Sequence, residues 1–155
     1  MKREKNPRPK IIIKNNQKKI RLNHKKIAAW AGKLLRMKGV TEGELSILFT
    51  GIKRIQTLNR IFRRVNKPTD VLAFNMREGE TIAGGPAFSG DIVICAEIAR
   101  RSARIYQKST AEEICLYLVH GILHLLGYDD LTSKDLWIME KEQTRICAKL
   151  LQKGY

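Results

Sequence analysis

Between Ser109 and Leu126 the chain carries a long helical stretch that is apolar nearly all round, with Ile114, Leu116, Leu118, Val119, Ile122, Leu123 and Leu125 among its residues. A helix with so little polar face belongs in the centre of a fold. Ser109 and Glu112, three residues apart, form a capping-box signature at its start. Gly127 is suited to end it in a left-handed conformation. The 155 residues can enclose one core but leave little room for two, so a single domain over 1–155 is expected, with 1–10 as a basic N-terminal extension.

The flanking segments supply the cover. KIIIKN reads as a short strand, and Asn23 caps a helix to about Lys38 in which Ile27, Trp30, Ala31, Leu34 and Leu35 recur at helical spacing. Gly39 stops that helix, and Glu44 to Phe49 alternates as a strand with Leu45, Ile47 and Phe49 on one face. A helix over about Ile52 to Arg63 precedes the strand DVLAF, which Pro68 and Thr69 introduce. Arg77 to Gly90, with Gly79, Gly84, Gly85 and Pro86, reads as a mobile loop able to border a cleft. DIVIC is a further strand, followed by a helix over about Ala96 to Tyr106. The last helix runs from about Ser133 to Leu151 with Leu136, Met139, Gln143, Ile146 and Leu150 in line. The sum is an α+β domain, a mixed sheet of roughly four strands covered by helices.

Charge is concentrated at one end. Residues 1–40 hold fourteen Lys and Arg against Glu4 alone, a net of +13, which leaves +2 of the total +15 for the remainder. Such a field draws polyanions and releases their counterions on contact, so nucleic acid is the first partner to expect and anionic lipid the second. No 18-residue apolar run is present, which excludes a spanning helix. The apolar run Ile11 to Ile13 is too short for a secretory signal, so the cytoplasm is expected. Cys95, Cys115 and Cys147 are widely spaced within apolar segments and read as buried thiols.

The chemistry sits at the end of the central helix, in HGILHLLGYDD. His120 and His124, one turn apart, can present two imidazole nitrogens to one metal ion. After Gly127 the chain can turn back and bring Asp129 or Asp130 to the same point. Two imidazoles and a carboxylate suit zinc with an open position for water, the arrangement of a catalytic site. The spacing is also similar to that of metzincin proteases, which carry Glu after the first His. Gly121 stands there, so the peptidase base is missing.

HGILHLLGYDD, with LNRIFRRVNKPTDVLAF upstream and GDIVIC between them, resembles the YbeY family of single-strand-specific endoribonucleases and ribosomal RNA maturation factors. The resemblance covers roughly residues 40 to 150. It implies zinc at His120, His124 and Asp130, a catalytic role for the two histidines, and a phosphate-clamping role for Arg63, which follows the Leu-Asn pair. Ribosomal RNA and the small ribosomal subunit are the implied partners. The family pattern ends in Asp-His where this chain has Asp129-Asp130, and it carries Ser where Ala73 stands. A carboxylate is an acceptable zinc ligand. Being shorter than His, it draws the metal toward the turn and makes its water less acidic, an exchange that reduces activity, shifts it toward another divalent ion or abolishes it. The expected function is therefore a zinc-dependent endoribonuclease, with an RNA-binding assembly factor and a small metalloprotease as the alternatives. Trp30 and Trp137 are expected to pack inside. Glu112 and Glu113 are explained by the helix start, Glu140 and Glu142 are expected in solvent, and His24 is an ordinary polar helix residue.

Overall fold

A computed structural model describes residues 8–76 and 88–152. The elements are β1 (Lys10–Asn15), α1 (His24–Met37), β2 (Glu44–Thr50), α2 (Ile52–Arg63), β3 (Val71–Asn75), β4 (Ser89–Cys95), α3 (Ala96–Ile105), α4 (Thr110–Leu125) and α5 (Ser133–Leu150). The sheet order is β1-β2-β4-β3, with β1, β2 and β4 parallel and β3 antiparallel to β4. The α+β class and the four-stranded mixed sheet are as the sequence implies. The expected N-terminal extension lies outside the described residues at 1–7, and Lys10 already opens β1, donating its amide to the Gly43 carbonyl at 2.8 Å.

Alternation along the strands sorts side chains onto two faces. Leu45, Ile47, Phe49, Ile92 and Ile94 point to the main core with α1 and α4, whereas Leu72, Val93 and Cys95 pack with Ile55 of α2 on the other face. The α1 stripe of Ile27, Trp30, Ala31, Leu34 and Leu35 is buried, and Trp30 Nε1 donates to the Leu150 carbonyl at 3.2 Å. Asn23 caps α1 through the amide of Lys26, and Ser109 caps α4 through that of Glu112.

Helix α4 lies against β4 with almost no gap. A Cβ at Gly121 would stand 3.0 Å from Ile92 Cδ1, and one at Gly90 would stand 2.6 Å from Leu125 Cδ1. The strand β4 begins at Ser89 rather than Asp91 because Ser89 and Gly90 pair with Glu44 and Leu45 of β2. Gly90, which reads as loop from the sequence, is the place in the strand where the end of α4 is seated. The rest of the expected glycine-rich loop, residues 77–87, lies outside the described residues.

Three expectations are corrected. Trp137 is 61% exposed, with Lys141 Nζ 4.8 Å from its ring centroid, because α5 makes its core contacts only from Met139 onward and its first turns overhang, Leu136 included. Glu113 is 3% exposed within the first turn of α4, so it is more than a solvated helix-start charge. Glu142 accepts from Lys38 Nζ at 2.7 Å and pairs with Arg145, which ties the end of α1 to α5. The cysteines are free as expected; Cys95 and Cys115 are buried, and Cys147 is half-buried in contact with Cys115.

The hydrogen bond from Arg145, and after it that from Lys38, hold the Glu142 carboxyl down from 4.5 to about 2. A folded value below the unfolded one stabilises the fold above the unfolded pKa and is lost as pH falls through the folded one. Glu142→Gln is expected to lower stability by about 1–2 kcal/mol at pH 7, with the difference shrinking as pH falls below about 4 and vanishing only below the folded value near 2, in chemical denaturation across that range.

Candidate functional site

The last turn of α4 carries both imidazoles and ends in a Schellman arrangement. Gly127, at φ +100, donates its amide to the His124 carbonyl at 3.1 Å, and the Tyr128 amide donates to the Leu123 carbonyl at 3.0 Å. The chain therefore reverses directly beneath His124. Tyr128 is held there by Lys38 Nζ, which donates to its hydroxyl at 2.7 Å and to Glu142 at the same distance. One lysine thus joins α1, the turn and α5.

His120 Nε2 and His124 Nε2 face each other at 3.1 Å, with ring planes at 78°. His120 Nδ1 donates to Gln143 Oε1 at 2.9 Å, so the opposite nitrogen of that ring presents a lone pair. The facing nitrogen of His124 must then bring a proton, or the two must share a cation. Burial above all, and the neighbouring His120, push the His124 pKa below its ordinary value; the Asp130 charge and a backbone hydrogen bond at Tyr128 oppose this, and Arg63 adds a further downward push. An imidazole so placed is neutral at pH 7 and available as a donor. Tetrahedral bonds of about 2.1 Å set two ligand nitrogens about 3.4 Å apart, so the observed pair fits such an ion closely.

The structure thus brings His120 and His124 together and sets Arg63 and Asp130 within electrostatic reach of His124. Among the described residues no three His, Cys, Asp or Glu side chains are gathered as a metal set. Asp130 is exposed, and its short side chain acts on His124 by charge. Its neighbour Asp129 accepts from the Leu131 amide at 3.3 Å and shapes the turn. Arg63 is the exposed last residue of α2. Its helix end is fixed by the buried Asn59, whose Nδ2 donates to the Lys67 carbonyl at 2.9 Å, and by Arg64 in a left-handed cap at φ 60. His24 is exposed at the start of α1, as expected.

Sequence reasoning missed Gln143, Asn59 and Lys38. Gln143 had a signal, since it is the one polar member of the α5 stripe. Position 121 faces Ile92 and is buried, so it is closed to the carboxylate that peptidase chemistry needs between the two histidines.

The family model described as endoribonuclease YbeY matches residues 12–151. The endoribonuclease YbeY of Aquifex aeolicus is 42% identical over 128 residues, covering 83% of this chain and 80% of the relative. That of Geobacter metallireducens is 35% identical over 147 residues, covering 94% and 98%. Among solved structures, a protein from Thermotoga maritima determined in solution matches with a TM-score of 0.62 and 26% identity, covering 90% of this chain and 88% of its own.

Gly121→Glu is expected to lower stability by about 3 kcal/mol or more, since it drives a carboxylate into Ile92, and to create no peptidase activity. Thermal denaturation and a casein assay check both; a stable variant that cuts peptides overturns the packing argument.

Proposed function

The chain belongs to the endoribonuclease YbeY family, enzymes that cut RNA, and from that premise we propose that it is a metal-dependent, single-strand-specific endoribonuclease. Its substrate is ribosomal RNA during maturation of the small ribosomal subunit, in the cytoplasm. No helix among the described residues is long and apolar enough to cross a membrane. The observation that carries the reading is the pair of imidazole nitrogens facing each other at 3.1 Å, one with its tautomer set by Gln143.

His120 and His124 would hold a zinc or related divalent ion, with Asp130 as the carboxylate that completes the set. When bound, the ion supplies a water of lowered pKa and polarises a phosphoryl oxygen. The remaining work falls to the chain. Gln143 holds His120 in the tautomer that leaves its Nε2 free, the positioning that partners of ligand histidines provide. Arg63 offers a planar guanidinium to the phosphate oxygens where negative charge accumulates during cleavage. Lys38 and Tyr128 fix the turn from which Asp130 projects. A second reading, an RNA-binding assembly factor with little catalysis, is favoured by the position of Asp130 apart from the imidazole pair.

Metal analysis and cleavage of a single-stranded RNA test the two together. His120→Ala is expected to lose both metal and cleavage. Arg63→Ala is expected to keep its metal and lose about 100-fold in turnover. Equal metal in wild type and Asp130→Ala would remove Asp130 from the ligand set; full metal without cleavage in the wild type would favour the assembly factor. Gln143→Leu is expected to weaken metal affinity about 10- to 100-fold, read by competition with a chelator.

A further inference from the structure

At the end of the sheet opposite the imidazole pair, the carboxyl ends of the parallel strands β1, β2 and β4 open into a cavity of about 650 Å³. Gly121 packs at Ile92 and Leu125 at Gly90, so α4 runs antiparallel to β4 and its histidines lie toward the strand's beginning, whereas the cavity lies beyond Cys95. Crevices at the carboxyl ends of parallel strands are where open α/β sheets take ligands.

The lining is cationic. Lys18, Lys19, Lys53, Arg54 and Arg101 face one carboxylate, Glu97, which is itself engaged by Lys19 at 3.1 Å and Arg101 at 3.6 Å. Lys18, Lys53 and Arg54 have no acidic partner among the described residues. The first turn of α2 adds donors. Its N-cap is Gly51 with no side-chain hydrogen bond, no acid occupies the first turn, and the first amide bonded back is that of Ile55, so those of Ile52, Lys53 and Arg54 have no acceptor among the described residues. Thr50 supplies an independent pointer. It is 2% exposed and lines the cavity, and its hydroxyl has no hydrogen-bond partner among the described residues. Among the described residues, no half-buried or buried one has a side-chain polar atom both sealed and unpartnered, so the Thr50 hydroxyl opens into this space. Unpaired cations, free amides at a helix start and an unpartnered hydroxyl are together the chemistry that receives a phosphate.

We propose that this cavity anchors a phosphate group of the RNA away from the bond that is cut, an assignment that rests on reading the chain as an RNA-cutting enzyme. Helix α2 joins the two places. Its first turn lines the cavity, its last residue is Arg63 roughly 17 Å further along the axis, and Arg60 and Arg64 are exposed near that far end. A strand held at both ends crosses several nucleotides of this basic helix.

Gly51 makes the test clean. Its φ of −83° suits any residue, and an added Cβ meets nothing within 4 Å. Gly51→Asp caps the helix and raises or keeps thermal stability, while its carboxylate takes the amides and repels phosphate. The first arm needs no cleavage: in wild type, inorganic phosphate at millimolar concentration is expected to shift the NMR amide signals of residues 51–54, and in Gly51→Asp it is expected not to. The second arm uses RNA. Gly51→Asp is expected to raise Kd and KM for a long single-stranded RNA about tenfold with kcat unchanged, and to leave cleavage of oligonucleotides too short to span α2 unaltered. Lys53→Ala/Arg54→Ala, both exposed positions, is expected to reduce the salt slope of log K by about 1.4. Equal affinity for 5′-phosphorylated and 5′-hydroxyl RNA assigns the anchored group to the backbone, and tighter binding of the former assigns it to the terminus; either supports the anchor. Wild-type and Gly51→Asp values of Kd and KM agreeing within about twofold would overturn it. A wild type that binds RNA through these residues but cuts none sinks the catalytic reading and leaves the anchor standing.

Discussion

The seating of α4 on β4 is the contact from which the rest of the molecule takes its positions. With hydrogen in place of a side chain at Gly121 and at Gly90, the helix comes down onto Ile92 while Leu125 drops over the strand. At that distance a rotation of the helix about its own axis meets Ile92, so the faces are locked: the buried residues go to the sheet and the two imidazoles to the open side. The histidines thus inherit their direction from packing that involves neither of them. Substitutions in this seam are expected to act on the site only through the pose of the helix.

A second layer of constraint comes from α5 and α1. Gln143 reaches across to His120, and the adjacent residue, Glu142, reaches the other way to Lys38, which in turn holds Tyr128. Two neighbouring α5 side chains therefore fix the tautomer of one imidazole and the anchorage of the turn after the other. The group is half-buried, where a charged hydrogen bond keeps more of its strength than at a fully wetted surface.

Much of this was legible in order along the chain, because local rules govern it. Helix α2 begins and ends where amphipathic spacing places it, the α1 stripe is buried residue for residue, and the imidazole pair follows from a four-residue offset that any helix imposes. What escaped the sequence depends on which element lies opposite. Glu142 reads as a solvated charge until α1 places Lys38 beside it, and Gln143 as one member of a stripe until α4 places His120 there. Trp137 fits an amphipathic helix, but the overhang of α5 leaves it nothing to pack against. Gly90 reads as loop because the reason for it, Leu125, lies thirty-five residues on. The family resemblance carried Arg63 to the site, where helix spacing alone offered no reason to prefer it over Arg60 or Arg64.

The bonds that settle the imidazole pair and the turn after α4 join distant parts of the sequence, from Lys38 at the end of α1 to Glu142 and Gln143 in α5. During synthesis, which proceeds from the N-terminus, a nascent polypeptide can assemble the sheet and α4 while α5 is still inside the ribosomal exit tunnel. Until that last helix emerges, His120 has no acceptor for its Nδ1 proton and Tyr128 hangs on a lysine without its counter-charge. The imidazole pair is therefore set in place only once α5 has emerged, after every other element of the fold, a built-in delay for a protein made by the machinery whose RNA it is proposed to trim.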